Sequence, residues 1–157
     1  MKSHVVLWSL VVLIFTSACS SLKTAPEKVN EFTNKLDSKD FTIRFNYANP
    51  IRMQQIALTS EYTLTIKGDS AIAFLPYYGI AYVAPFNSSE GGIKFASKML
   101  NYSKSLNKKG DGWDIRFKIN SSEYHYNLFL SVYQNGSSTL QVNSYERDTI
   151  SFYGEMK

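Results

Sequence analysis

The sequence has few of the residue types that catalysis and metal binding use most often. Its 157 residues include one cysteine, Cys19, and two histidines, His4 and His125. One cysteine excludes a disulfide within the chain. Because His4 lies in the N-terminal segment discussed below, a transition-metal site would need carboxylates alone, and a His-dependent triad has His125 as its only candidate base. We therefore expect neither kind of site, and no cofactor or metal is predicted.

The sequence also has only a small excess of one charge and no long apolar run. The formal net charge is +4, from 17 basic and 13 acidic residues spread along the chain. This mild excess does not favour a nucleic-acid partner. The longest apolar-rich run, Val5 to Phe15, is too short to span a bilayer comfortably.

The first residues are typical of an export signal. Lys2 supplies a positive end, the apolar run follows, and Thr16-Ser17-Ala18 places small residues before Cys19. This order predicts a lipoprotein signal peptide over residues 1–18 and lipidation of Cys19. The alternatives are cleavage by an ordinary signal peptidase near Ala18, or a cytosolic protein with a buried N-terminal helix.

The rest of the chain is long enough for one domain. Residues 19–25 are predicted to be a lipidated tether, and residues 26–157 a single all-β domain with an N-terminal helix. Pro26-Glu27 is a favourable helix start, and a narrow apolar stripe follows, formed by Val29, Phe32 and Leu36. Such a helix either packs on a sheet edge or forms a loosely ordered stalk.

From Phe41 onward, apolar residues recur at every second position, which is the period of a half-buried strand. The clearest runs begin at Phe41, Tyr62, Trp113, Tyr124, Leu140 and Ile150. Turn residues separate them, with Gly68-Asp69 and Asn135-Gly136 predicting tight hairpins. We expect a mainly β fold, an antiparallel meander of eight to ten strands curled into a barrel or half-barrel. A two-sheet β-sandwich is the alternative.

Five segments resemble a family of uncharacterised small exported bacterial lipoproteins that carry a domain of unknown function. They are Leu75-Pro76-Tyr77-Tyr78-Gly79-Ile80-Ala81-Tyr82, Gly92-Ile93-Lys94-Phe95, Asn135-Gly136, Leu140-Gln141-Val142-Asn143-Ser144 and Arg147-Asp148-Thr149-Ile150-Ser151-Phe152-Tyr153-Gly154. The resemblance implies a fold and a place in the cell envelope, and it implies no catalytic residue. In such bacteria, surface display is associated with acidic residues after the cysteine. Residues 20–23 contain none, so the resemblance implies a lipoprotein facing the periplasm.

The most distinctive segment follows a predicted strand and combines proline, glycine and aromatic residues. Pro76 cannot donate to a central ladder, so it predicts a strand exit. Tyr77, Tyr78 and Tyr82 are candidate ligand contacts at the mouth of a cavity, or they pack the sheet at a corner. Arg147 either forms an ion pair with Asp148 that stabilises a turn or binds an anionic ligand.

Other polar residues are weaker candidates. Asp111 and Asp114 suggest acid–base chemistry on a sugar, but a glycine turn favours Asp111 for backbone reasons. Glu90 beside Gly91-Gly92 lacks the ligand spacing of a calcium loop. Ser70 and Thr149 lie in short acidic-hydroxyl-apolar triplets and are candidate O-glycosylation sites.

These observations favour a non-enzymatic envelope protein that binds a hydrophobic or amphipathic partner, namely a lipid, a peptide or another envelope protein. A carbohydrate-active enzyme or inhibitor is the alternative, and a purely structural module is a third hypothesis. The membrane, reached through the N-terminal lipid, is the expected partner in all three.

Overall fold

A computed structural model describes residues 32–83, 91–121 and 124–157. Residues 32–157 form one compact unit. A short helix covers residues 32–38. Nine strands follow: β1 (Asp40–Pro50), β2 (Ile56–Lys67), β3 (Ser70–Leu75), β4 (Ile93–Lys98), β5 (Leu100–Leu106), β6 (Gly112–Asn120), β7 (His125–Tyr133), β8 (Ser137–Ser144) and β9 (Ile150–Met156).

All nine strands belong to one antiparallel sheet in the order β4-β3-β2-β1-β9-β8-β7-β6-β5. Two meanders, β1 to β4 and β5 to β9, are joined through the β1–β9 pair. The outermost strands, β4 and β5, are separated in the chain only by Met99. The sheet therefore curls into a nearly closed barrel. The predicted curled meander is confirmed, and the alternative of two separate sheets is wrong.

The barrel interior is filled by the apolar side chains that alternate along the strands. One buried cluster includes residues from eight of the strands and the helix, and its largest fully buried members include Phe45, Tyr126 and Phe152. Each buried branched or aromatic side chain stabilises the fold by roughly 1.5–3 kcal/mol. β5 is the exception, because none of its side chains is buried. Its polar character explains why no apolar alternation marks this edge strand.

Tyr47 lies on the outer face of the sheet, although the alternation that begins at Phe41 predicts that it points inward. A register shift between Phe45 and Tyr47 changes the phase of β1, so that Ala48 is fully buried while Tyr47 is 46% exposed. Gly154 pairs with Phe45 at this irregularity. A Cβ at Gly154 would lie 2.0 Å from the Arg44 carbonyl oxygen, so the close approach of β1 and β9 requires glycine.

The helix packs on the sheet rather than forming a stalk. Leu36 is fully buried, and the Phe32 ring lies 5.5 Å from the Trp113 ring. Asp37 also pairs with Lys104 of the edge strand β5. Residues 26–31, where the helix is predicted to begin, lie outside the described residues.

Two predicted turns are present with different lengths. Gly68-Asp69 connects β2 to β3 as a two-residue turn, with Gly68 at φ +58°. The turn at Asn135-Gly136 includes Gln134 and has three residues, with Gly136 at φ +86°. Both positive angles favour glycine.

Candidate functional site

Three loops meet at the end of the barrel where β1 finishes. They are residues 51–55 after β1, residues 76–83 after β3 and residues 145–149 between β8 and β9. The last two run antiparallel at one bridge, Ala81 to Arg147. The Asp148 amide donates to the Ile80 carbonyl oxygen at 2.9 Å, and the Tyr82 amide donates to the Glu146 carbonyl oxygen at 2.8 Å. The two most distinctive sequence segments therefore form one local structure.

The Asp148 carboxylate connects these loops. It accepts hydrogen bonds from Arg52 Nε at 2.8 Å, from the Ile80 amide at 3.1 Å and from the Tyr82 hydroxyl. The Tyr77 hydroxyl adds bonds to the Ile80 carbonyl oxygen at 2.9 Å and to the Asp148 carbonyl oxygen at 3.2 Å. We call Arg52, Tyr77, Ile80, Tyr82 and Asp148 the Asp148 cluster.

The cluster keeps its carboxylate ionised. The hydrogen bonds from Arg52 and then Tyr82 lower the pKa of Asp148 from 3.8 to about 2, against the opposing effect of burial. The same contacts raise the pKa of Arg52. An anion whose lone pairs are already occupied is a poor general base or acid near neutral pH. This arrangement is structural rather than catalytic.

The predicted ion pair between Arg147 and Asp148 is wrong. The carboxylate of Asp148 pairs with Arg52 instead. Arg147 is 4% exposed, and its guanidinium carbon lies 3.7 Å from the Tyr124 ring centre and 4.6 Å from that of Tyr77. Because Asp148 extends towards the opposite loop, Arg147 is stabilised by two aromatic faces and by the Gly92 carbonyl oxygen, 3.3 Å from Nη1.

The three candidate tyrosines have different environments. Tyr77 and Tyr78 are half-buried and pack against the core. Tyr82 is 59% exposed, with only its hydroxyl bound by Asp148. Its ring is thus the one tyrosine face in the segment that is free for a partner, judged by the residues that the structure describes.

An open depression of about 440 Å³ lies beside the cluster. Its lining combines an exposed apolar side chain, an aromatic ring, two arginines, a carboxylate and two aliphatic hydroxyl groups, from Ile51, Arg52, Tyr82, Ser144, Arg147, Asp148 and Thr149. Thr149, predicted as a glycosylation site, is therefore partly enclosed here. Ser70, the other such residue, is exposed at the start of β3.

A second polar chain lies near the depression but does not form a catalytic triad. Ser144 Oγ donates to Glu146, and Glu146 Oε1 lies 3.2 Å from His125 Nδ1. Burial opposes ionisation of Glu146, but the bonds from Ser144 and His125 lower its pKa. A triad needs histidine between the hydroxyl and the carboxylate. Here the carboxylate is in the middle, so His125 is not placed to accept the Ser144 proton.

The carboxylates considered for sugar chemistry are held by neighbours. Asp111 accepts a bond of 2.6 Å from Asn107 in an exposed turn, and Asp114 accepts one of 2.7 Å from Ser131. Glu90 and Cys19 lie outside the described residues. Within the described ranges, no three His, Cys, Asp or Glu residues are placed to hold a metal ion, and no helix has the length and apolar content to cross a membrane.

Fold and site together define a small antiparallel β-domain with a packed interior, whose principal polar cluster has a structural role. A family model, the domain of unknown function DUF4251, matches residues 23–156. The chain belongs to the DUF4251 family. It is similar to a DUF4251 family protein from Bacteroides eggerthii DSM 20697, known from a crystal structure at 1.95 Å resolution. The TM-score is 0.62 and the identity 16%, over 83% of this chain and 87% of that one. This likeness bears on the fold alone. No curated protein matches the chain.

Sequence reasoning did not find Arg52, although it is the ion-pair partner of Asp148. The two residues are 96 positions apart. Arg52 lies in a polar turn after Pro50, which carries no local sign of a buried partner. The long-range pairing of β1 with β9, in which Pro50 is opposite Ile150, brings the two together.

Proposed function

We propose that this chain is a non-enzymatic lipoprotein of the cell envelope, anchored through Cys19 and facing the periplasm, that binds an amphipathic partner through its outer surface. The packed barrel interior directs this proposal to the outer surface, because side chains fill the space that an internal ligand would occupy. At the Asp148 end, the carboxylate of Asp148 is already bound by Arg52, Ile80 and Tyr82. The open depression beside Arg52 and Tyr82 is the proposed recognition site.

The lining of the depression fits an amphipathic ligand such as a lipid or a peptide. Ile51 is 69% exposed, so it offers an apolar contact next to the exposed Tyr82 ring. The Arg52 side chain is 56% exposed, and its Nε is bound to Asp148. Its Nη2 also lies 3.5 Å from Asp148 Oδ1, which leaves Nη1 as the guanidinium nitrogen for a carbonyl, carboxylate or phosphate oxygen of a ligand.

The anchor is tested by feeding cells an alkyne-bearing fatty acid and following the label on the chain. We expect label in the membrane fraction for the natural sequence and none for Cys19→Ser. Label on the Cys19→Ser chain, or an unprocessed natural chain in the cytosol, would contradict the anchor.

The depression is tested by incubating the purified chain with envelope extracts and identifying retained molecules by mass spectrometry. Ile51→Ser should reduce retention, because Ile51 lies in the depression outside the Asp148 hydrogen bonds. Leu106→Ser is the matched control, since Leu106 is 59% exposed at the other end of the barrel. Equal retention by both variants would exclude the depression as the binding site.

A further inference from the structure

A second surface, on the outer face of β1 to β4, combines exposed apolar side chains with lysines. Ile72 and Phe74 point outward from β3 and are 50% and 48% exposed. They are spaced two residues apart, so they share a face. Without a partner, exposed apolar residues of this size on a strand near the sheet edge would favour aggregation.

Four exposed cations surround these two side chains. In the sheet register, Lys94 pairs with Phe74 and Lys98 pairs with Ser70. Lys67 pairs with Ser70 from the other side, and Arg44 is the partner of Thr63 beside Phe74. The Lys94 ammonium lies 5.3 Å from the Phe74 ring centre. We call Arg44, Lys67, Ile72, Phe74, Lys94 and Lys98 the basic-aromatic face.

Acidic residues also lie near this face, and two of them pair with cations outside it. Glu61 pairs with Lys157, and Asp69 pairs with Lys39 at 3.0 Å. Two more exposed carboxylates lie on the same rows, Asp40 opposite Lys67 and Glu155 opposite Arg44, against four cations. The face is therefore positively charged on balance, and its charge complements an anionic surface.

The face also lies close to where the chain enters the domain. Asp40 opens β1, and the row Asp40–Lys67–Ser70–Lys98 crosses four strands at that end. The thirteen residue steps from Cys19 to Phe32 reach at most about 45 Å. With the anchor proposed above, so short a connection holds the domain within reach of the bilayer.

We propose that the basic-aromatic face docks on an anionic phospholipid surface. Lysine ammonium groups contact headgroup phosphates, while Phe74 and Ile72 enter the interfacial region. The tether argument depends on the proposed anchor, whereas the composition of the face does not. The competing explanation is that Lys94 and Lys98 only prevent edge-to-edge pairing of β4 with another chain.

The experiment supplies its own anchor, so that it does not depend on lipidation in cells. A chain beginning at residue 19 contains the whole described core, and its single cysteine couples to a maleimide lipid in vesicles. Lysines are then acetylated and their reactivity is read by mass spectrometry. Vesicles contain phosphatidylglycerol with phosphatidylethanolamine, or phosphatidylcholine alone.

On the anionic vesicles we expect Lys67, Lys94 and Lys98 to lose reactivity several-fold at low salt and to regain it at high salt. Lys118, exposed on the outer face of β6, is the internal control and should not change. Equal reactivity on both vesicle types, or equal protection of Lys118, would overturn the proposal. Protection that appears only at high protein density would indicate contact between copies and would also overturn the proposal. Protection that appears only after envelope proteins are added would overturn it as well.

Charge reversal separates docking from edge protection. The double variant Lys94→Glu with Lys98→Glu should remove the protection of Lys67, because each interfacial lysine contributes roughly a factor of five to membrane partition. The control pair Arg116→Glu with Lys118→Glu, on β6, changes the net charge by the same amount. Lys67 should stay protected in this control. If the first variant forms oligomers while Lys67 stays protected, the lysines guard the edge and docking is wrong.

Discussion

The two ends of the barrel are closed by opposite kinds of chemistry. At the helix end, Leu36 is fully buried and Phe32 packs on Trp113, so closure depends on apolar burial. At the Asp148 end, loops are connected by hydrogen bonds to one carboxylate. In this barrel, the short loops at one end share the Asp148 carboxylate as a hydrogen-bond acceptor, whereas the helix at the other end contributes buried apolar side chains.

The two ends of the barrel should therefore differ in how their stability responds to pH. Apolar burial is insensitive to protonation, while the Asp148 cluster requires an ionised carboxylate. Four variants sharpen or break this contrast.

The largest effect is expected at the helix end, for Leu36→Ala. Removing a fully buried leucine side chain should lower the free energy of unfolding by about 2–5 kcal/mol. Urea unfolding followed by Trp113 fluorescence measures this directly, because the other tryptophan, Trp8, lies in the segment predicted to be removed. A loss below about 1 kcal/mol would show that the helix end is not closed by burial.

Next comes Asp148→Asn, whose effect should depend on pH. The folded pKa of Asp148 is lowered to about 2, so its stabilisation is fully present above about pH 4, the range of the unfolded side chain. That stabilisation is lost as pH falls through 2. The melting temperature of the variant should therefore lie below that of the natural chain at pH 7, and the gap should close between pH 4 and 2. A constant gap would contradict the ionised cluster, and Leu36→Ala serves as the pH-independent control.

Tyr77→Phe should have a smaller effect at the same end. It removes one hydroxyl that donates to the Ile80 and Asp148 carbonyl oxygens, which predicts a loss of about 1 kcal/mol. Chemical denaturation measures the change. Tyr78→Phe is the matched control, because it removes a hydroxyl from the neighbouring half-buried tyrosine. An equal or larger loss for the control would show that the hydrogen bonds of Tyr77 are not what stabilises this segment.

The smallest effect is expected for Lys104→Ala. This residue pairs with Asp37, whose side chain is 57% exposed, and exposed pairs contribute about 0–1 kcal/mol. Urea unfolding should give a loss within that range and a weaker one in high salt. A loss comparable to that of Leu36→Ala would mean that charge, rather than burial, holds the helix.

Much of the architecture was predictable, because every second side chain of a strand points into the barrel interior. Alternation identified the inner faces of β1, β6, β7, β8 and β9, and glycine turns located two hairpins. It failed after Phe45, where the register shift turns Tyr47 outward. β4 and β5 were also missed as strands. β5 buries none of its side chains, and β4 buries only Ile93 and Phe95, an alternation too short to identify a strand.

The candidate site was less predictable. Tyr77, Tyr78, Tyr82 and Arg147 were selected from composition, and all four lie at the Asp148 end. Their roles were not apparent, because the partners of Asp148 and Arg147 come from loops remote in sequence. Local patterns report which side chains are buried, but they do not report which distant polar groups meet.

Periodicity and turn chemistry alone determined the antiparallel meander and most of its inner face, because the alternation of side chains is a local property of the extended chain. Tertiary structure decided which loops meet, which cation pairs with Asp148 and how Arg147 is enclosed. The Arg52–Asp148 pair depends on the pairing of β1 with β9, two strands remote in sequence. The enclosure of Arg147 depends on the curvature that brings Tyr77, Gly92 and Tyr124 around it. Pairing and curvature are properties of the whole sheet, so no local pattern contains them.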